Sequence, residues 1–105
     1  MINLTESTKG LGIQKLSCVY KIVCRLNNKV YVGSTISFGK RFNKHKRFLI
    51  LNKHHSIALQ NAFNKYGIDC FYFEILEINP KDLQKSEQYY IDLYKSYKRD
   101  KGYNI

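Results

Sequence analysis

No acidic residue occurs between Ser7 and Ile68, although that stretch holds twelve of the chain's eighteen Lys and Arg. The segment carries +12 and the rest of the chain −2, so the net charge of +10 is concentrated in one region. A field this one-sided favours a polyanion as partner, and nucleic acid is the natural candidate. No apolar run reaches the roughly 18 residues of a membrane span, and no signal-peptide core is visible. Neither membrane nor secretory work is expected. Cys18, Cys24 and Cys70 are odd in number and lack C-x-x-C spacing. That argues against a disulfide framework or a zinc site, and a reducing, cytoplasmic setting is expected. The adjacent His54 and His55 are weak as a metal pair, because sequence neighbours seldom point the same way. What is present is a hydrophobic content of 44% with nine Tyr and six Phe, enough for one small folded domain rather than a disordered basic tail.

Residues 1–16 mix Thr, Ser, Gly and Lys without periodicity and read as a flexible leader, leaving 17–105 as the domain. Val19 to Arg25 and Lys29 to Val32 are rich in Val, Ile and Tyr, with Asn27-Asn28 between them suited to a turn. This predicts a β-hairpin carrying Tyr20 and Tyr31. After Gly33-Ser34-Thr35, Phe38, Phe42, His45 and Leu49 form one stripe of an amphipathic helix, with Arg41 at its edge. A second helix is predicted from about Ser56 to Tyr66, stopped by Gly67, and a third strand from Phe71 to Ile78. Asn79-Pro80 then reads as the start of a last helix running to about Tyr97. The expected fold is α/β (α+β): a three-stranded antiparallel sheet flanked by three helices, in the order β-β-α-α-β-α.

The last helix holds the most informative position. Leu83, Glu87, Tyr90 and Tyr94 share one row, so a carboxylate stands among residues that should face inward. Burying it costs free energy unless something pairs with it. The pattern admits a structural ion pair, a helix rolled so that Glu87 clears the core, or a carboxylate holding a divalent metal against a phosphodiester.

Several short motifs occur in order: C-V-Y at 18–20, Y-V-G at 31–33, then Ser34, Arg41, His45, H-S-I-A-L-Q-N-A-F-N-K-Y-G at 55–67, E-Q-Y-Y-I at 87–91 and G-Y-N at 102–104. Together they resemble the GIY-YIG nuclease family, in particular the catalytic domains of phage and intron-encoded homing endonucleases. The resemblance covers nearly everything from Cys18 to Ile105. One departure is Cys18-Val19 where the family's first motif usually has Gly-Ile.

The resemblance implies roles position by position. Tyr20 would activate or orient the attacking water, and Tyr31 would contact the scissile phosphate or that water. Gly33 would permit a close approach, and Arg41 would neutralise charge developing on the phosphate. His45 would assist proton transfer or position the nucleophile, leaving open whether it or Tyr20 is the general base. His54 falls near a further family histidine, with His55 competing for that match. Glu87 would bind a single Mg²⁺, for which Mn²⁺ is expected to substitute. Ser34 and Asn104 would support the site. Lys40, Lys44, Lys46 and Arg47 are candidate nucleic-acid contacts on the first helix.

The resulting expectation is a Mg²⁺-dependent endonuclease acting on double-stranded DNA in the cytoplasm of a bacterial or phage-infected cell, monomeric without DNA. The alternative from another class is a non-catalytic nucleic-acid-binding module that keeps the fold.

Overall fold

The computed structural model describes all 105 residues. Its elements are β1 (Ile2–Asn3), β2 (Cys18–Cys24), β3 (Val30–Thr35), α1 (Phe38–Ile50), α2 (Ile57–Tyr66), β4 (Phe71–Ile78) and α3 (Leu83–Tyr94), with a 3₁₀ turn at Ile68–Cys70. The α+β class and the three helices agree with expectation, but the antiparallel sheet has four strands rather than three, ordered β1-β4-β2-β3. The fourth comes from the segment read as a leader. Ile2 pairs with Phe73 and Asn3 with Tyr72, while Leu4 and Thr8 are buried behind them. Without β1, that edge of β4 would present unpaired backbone groups, and two residues of strand are enough to cover part of it.

β2 lies in the middle of the sheet with both faces covered, and six of its seven residues are buried. Cys18, Tyr20, Ile22 and Cys24 pack on one side with Phe38, Phe42 and Leu49 of α1, Leu59 of α2, and Phe71 and Phe73. Val19 and Val23 pack on the other with Val30 and Val32, beneath Leu83, Tyr90, Ile91 and Tyr94 of α3. The result is a helix–sheet–helix sandwich in three layers. Cys18 starts the strand fully buried, and burial pushes its thiol up to about 11, so it is a protonated packing group. The register against β4 shifts between Val19 and Tyr20, an irregularity of the kind that re-aims side chains near functional sites.

α3 begins later than Asn79-Pro80 suggests. Asn79 takes a left-handed φ of 48° and donates its N–H to Ser17 O at 2.8 Å, which keeps it tied to the sheet. The cap is Asp82, whose carboxylate accepts from Lys85 N at 3.1 Å. The helix ends at Tyr94, where Lys95 turns left-handed, rather than at Tyr97. Beyond it, residues 101–104 close the free edge of β3. Val30 N donates to Lys101 O, Tyr103 N donates to Val30 O, and the Asn104 amide grips both backbone groups of Val32. No helix is long and apolar enough to cross a membrane.

Candidate active site

The strand ends, the α1 face and the start of α2 converge on a set of side chains far apart in sequence. Tyr20 lies directly opposite Gly33 on the neighbouring strand and is fully buried, its hydroxyl 2.6 Å from His45 Nε2. His45 is on the apolar stripe of α1, as its spacing predicts, and its Nδ1 lies 2.7 Å from His54 Nε2. His54 Nδ1 in turn faces the backbone N–H of Ser56 at 3.0 Å. Ser56 is the N-cap of α2, its hydroxyl accepting from Leu59 N.

These contacts assign the protons. A backbone N–H can only donate, so His54 Nδ1 accepts and the neutral ring carries its hydrogen on Nε2. His54 then donates to His45 Nδ1, and His45 donates through Nε2 to the Tyr20 oxygen. Burial dominates the electrostatics of the chain. It holds His45 well below the ordinary imidazole range, helped by His54 and Arg41, and pushes His54 down to about 4. Burial also pushes the Tyr20 phenol well up, with Tyr31 adding to the effect and Arg41 opposing it. The chain is therefore neutral and directional.

Tyr31 is the more accessible tyrosine. It is half-buried on β3, and its hydroxyl is 2.8 Å from Nε2 of the exposed His55. Burial and then the charge of Glu87 raise its pKa, against the pull of Arg41. Sequence spacing could not separate His54 from His55. The fold gives them different partners, His54 joining the buried chain and His55 the solvent-side tyrosine, while their rings stack at 4.5 Å.

Ser34 joins the charged groups. Its hydroxyl donates to Glu87 Oε1, and its carbonyl accepts from Arg41 Nη1 at 3.2 Å. Glu87 is half-buried on the α3 row that also carries Leu83, Tyr90 and Tyr94. Neither Arg41 nor Glu87 forms an ion pair, since the one salt bridge in the domain joins Lys21 to Glu74. A structural ion pair, one of the sequence alternatives, therefore does not account for Glu87. An unpaired carboxylate with one oxygen anchored fits a donor to a hard cation, whose remaining positions would fall to water and phosphate. No group of three or more His, Cys, Asp or Glu gathers into a protein-only metal cage.

Arg41, Lys44, His45, Phe48, His54 and His55 line a cleft of about 90 Å³. Lys40 lines a second hollow with Arg41 and Lys44, beside Thr35 and Ser37. Lys46 and Arg47 line neither. Asn104 reaches the site only through the backbone of Val32, two residues before Ser34. Sequence reasoning missed the partners His55 gives to Tyr31 and Gln60 gives to the His54 N–H, at 3.0 Å. The capping serine at 56 was the available signal, because it fixes where the preceding residues must point.

Comparison with known proteins identifies the family. The family model described as the GIY-YIG catalytic domain matches residues 16–104. Intron-associated endonuclease 1 of Enterobacteria phage T4 is 45% identical over 92 residues, covering 85% of this chain and 36% of the relative. Probable intron-encoded endonuclease 1 of Neurospora crassa is 44% identical over 59 residues, covering 56% and 18% respectively. The chain thus spans about a third of the phage relative's length and less of the fungal one. The solved catalytic domain of homing endonuclease I-TevI superposes with a TM-score of 0.77 at 40% identity, covering 85% of this chain and 97% of that one. With the motifs, the fold and the family match coinciding over the same residues, the chain belongs to the GIY-YIG family and carries its catalytic domain.

Proposed function

We propose that this domain is a divalent-metal-dependent endonuclease that hydrolyses phosphodiester bonds in double-stranded DNA. The observation that carries the reading is the Ser34 junction. One serine holds a guanidinium through its carbonyl and a carboxylate through its hydroxyl, and the two charges do not neutralise each other. Arg41 would meet a bound phosphate directly, and Glu87 would hold the Mg²⁺, with Mn²⁺ as a substitute. Such an ion supplies charge stabilisation to the reacting phosphate.

The protein's own groups account for the rest. Arg41 and Lys44 attract and seat the phosphate in the cleft between α1 and the histidines. His45 is poorly suited to take a proton from water. Both its nitrogens are engaged and burial disfavours its charged form. That leaves the Tyr31 hydroxyl as the group facing the reaction. Tyr31 reaches the accessible side, while Tyr20, wholly buried and held by His45, supports the site from beneath.

The test is incubation of supercoiled plasmid with the wild type and Glu87→Ala, with Mg²⁺ or with chelator. Nicking or linearisation that requires both the metal and Glu87 is expected. Cleavage by Glu87→Ala at the wild-type rate overturns the metal role, and binding without any cleavage by the wild type favours the non-catalytic alternative.

A further inference from the structure

The domain contains two tyrosine–histidine pairs, and they differ in kind. The Tyr20–His45 pair is buried and its proton direction is dictated from Ser56 through His54. The Tyr31–His55 pair lies on the solvent side, and no protein group other than Tyr31 hydrogen-bonds to the His55 ring nitrogens. We propose that His55 is a positioning residue for the cleavage reaction. It accepts the Tyr31 hydroxyl proton in a hydrogen bond and so turns the lone pairs of Tyr31 Oη toward water or phosphate. The inference rests on the nuclease reading above.

Three observations support it. The first is placement. His55 stands between two pinned residues, since the His54 N–H donates to Gln60 Oε1 and the Ser56 hydroxyl donates to Tyr103 O at 2.9 Å. An exposed imidazole on a free loop would have no fixed direction, whereas this one is held by its neighbours. Its ring also stacks on His54 and meets the Tyr31 ring edge-on, with centroids 5.9 Å apart and planes at 70°. The second is the state of Tyr31. Burial keeps its phenol protonated, so the hydroxyl has a hydrogen to place and a direction to be set. The third is location. His55 lines the same cleft as Arg41 and Lys44, and the Tyr31 hydroxyl lies 2.8 Å from its Nε2, beside the seat proposed for the phosphate.

A structural explanation competes poorly. A hydrogen bond to an exposed imidazole contributes little to folding, because water replaces it readily. Its consequence should therefore lie in rate rather than in stability. Misdirecting a catalytic hydroxyl slows the chemical step while leaving the substrate bound.

The experiment measures single-turnover cleavage at saturating domain, DNA affinity, and the ¹⁵N signal of His55, for the wild type, His55→Ala, His55→Gln, Tyr31→Phe and the Tyr31→Phe/His55→Ala double variant. His55→Ala should slow cleavage about tenfold, the scale of one lost hydrogen bond, with DNA affinity unchanged. His55→Gln offers an amide oxygen as acceptor and should recover most of the rate. The double variant should be no slower than Tyr31→Phe alone. The Nε2 resonance should be that of an unprotonated acceptor nitrogen and should move in Tyr31→Phe. Wild-type rate in His55→Ala, a loss confined to affinity, additive losses in the double variant, no rescue by Gln, or a protonated Nε2 each overturns the proposal. If the wild type itself does not cut, the nuclease reading fails first and this role falls with it.

Discussion

Gly33 lies against the hydroxyl end of Tyr20. A Cβ at position 33 would fall 2.6 Å from Tyr20 Cζ, closer than two unbonded carbons tolerate. The two residues face each other across β2 and β3, so the absence of a side chain at 33 is what lets the Tyr20 ring lie there and meet His45. Gly33→Ala should therefore destabilise the domain by about 1–3 kcal/mol through overpacking. It should also break the Tyr20–His45 contact, read as altered His45 ring signals by NMR. An unshifted denaturation midpoint would show that the strands can part without cost.

The Asn104 side chain acts as a short extra strand. Its Oδ1 accepts from Val32 N at 2.7 Å and its Nδ2 donates to Val32 O at 2.9 Å. Asn104→Ala removes both bonds and leaves two backbone groups at the β3 edge without protein partners, a loss of about 1–2 kcal/mol. The local signature is faster amide hydrogen exchange at Val32, two residues from Ser34. Cleavage should fall together with that protection. Unchanged exchange at Val32 would mean that water or a neighbouring group substitutes for the amide.

Leu4 tests the strand that sequence periodicity did not reveal. It is fully buried in the main core, and its N–H donates to Phe71 O at 3.3 Å. Leu4→Ala should cost about 2–5 kcal/mol, the range for a buried leucine in a close-packed interior. A mobile leader would give nothing measurable in the same denaturation experiment.

Legibility in the sequence followed the length of each element. Phe71–Ile78 and Phe38–Ile50 span enough turns or alternations to show a period, and the expected positions agree with the observed ones. Ile2–Asn3 is too short for any period, and its pairing is decided by the open edge of β4, which lies some seventy residues away. The start of α3 was misplaced for a local reason. Asn79 and Asp82 are both capping residues, and only the tertiary bond from Asn79 N to Ser17 O selects between them. The inward row of Glu87 was legible, but its partner was not. Ser34 meets it across 53 residues, a contact that helix spacing cannot reveal.

The buried histidines should make stability depend on pH in a known direction. His54 is pushed down to about 4 from 6.5, and His45 is also held low, so the folded domain resists protons that the unfolded chain accepts. Between about pH 6.5 and 4 the unfolded state binds more protons, and stability must fall as the pH falls. For His54 the gap from 6.5 to about 4 corresponds to at most roughly 3 kcal/mol, fully lost only below about pH 4. Denaturant unfolding at pH 7.5 and 5 should show the decline, and His54→Gln should flatten it. An equally steep decline in the variant would assign the effect to other groups.

The basic residues of α1 should not contribute equally to DNA binding. Lys44 lines the cleft with Arg41 and His55, whereas Lys46 is half-buried and lines neither hollow. If the cleft seats a phosphate, Lys44→Ala removes a direct neutralising charge and Lys46→Ala removes only a more distant one. Each phosphate contact contributes about −0.9 to the slope of log affinity against log salt on duplex DNA. Lys44→Ala should therefore make that slope shallower by close to one contact, and Lys46→Ala should leave it near the wild-type value. The measurement is a salt titration of binding to a short duplex with chelator present, so that cleavage does not consume the substrate. Equal changes for the two lysines would mean that α1 acts as a diffuse positive surface, and that the cleft beside Arg41 is not where the backbone sits.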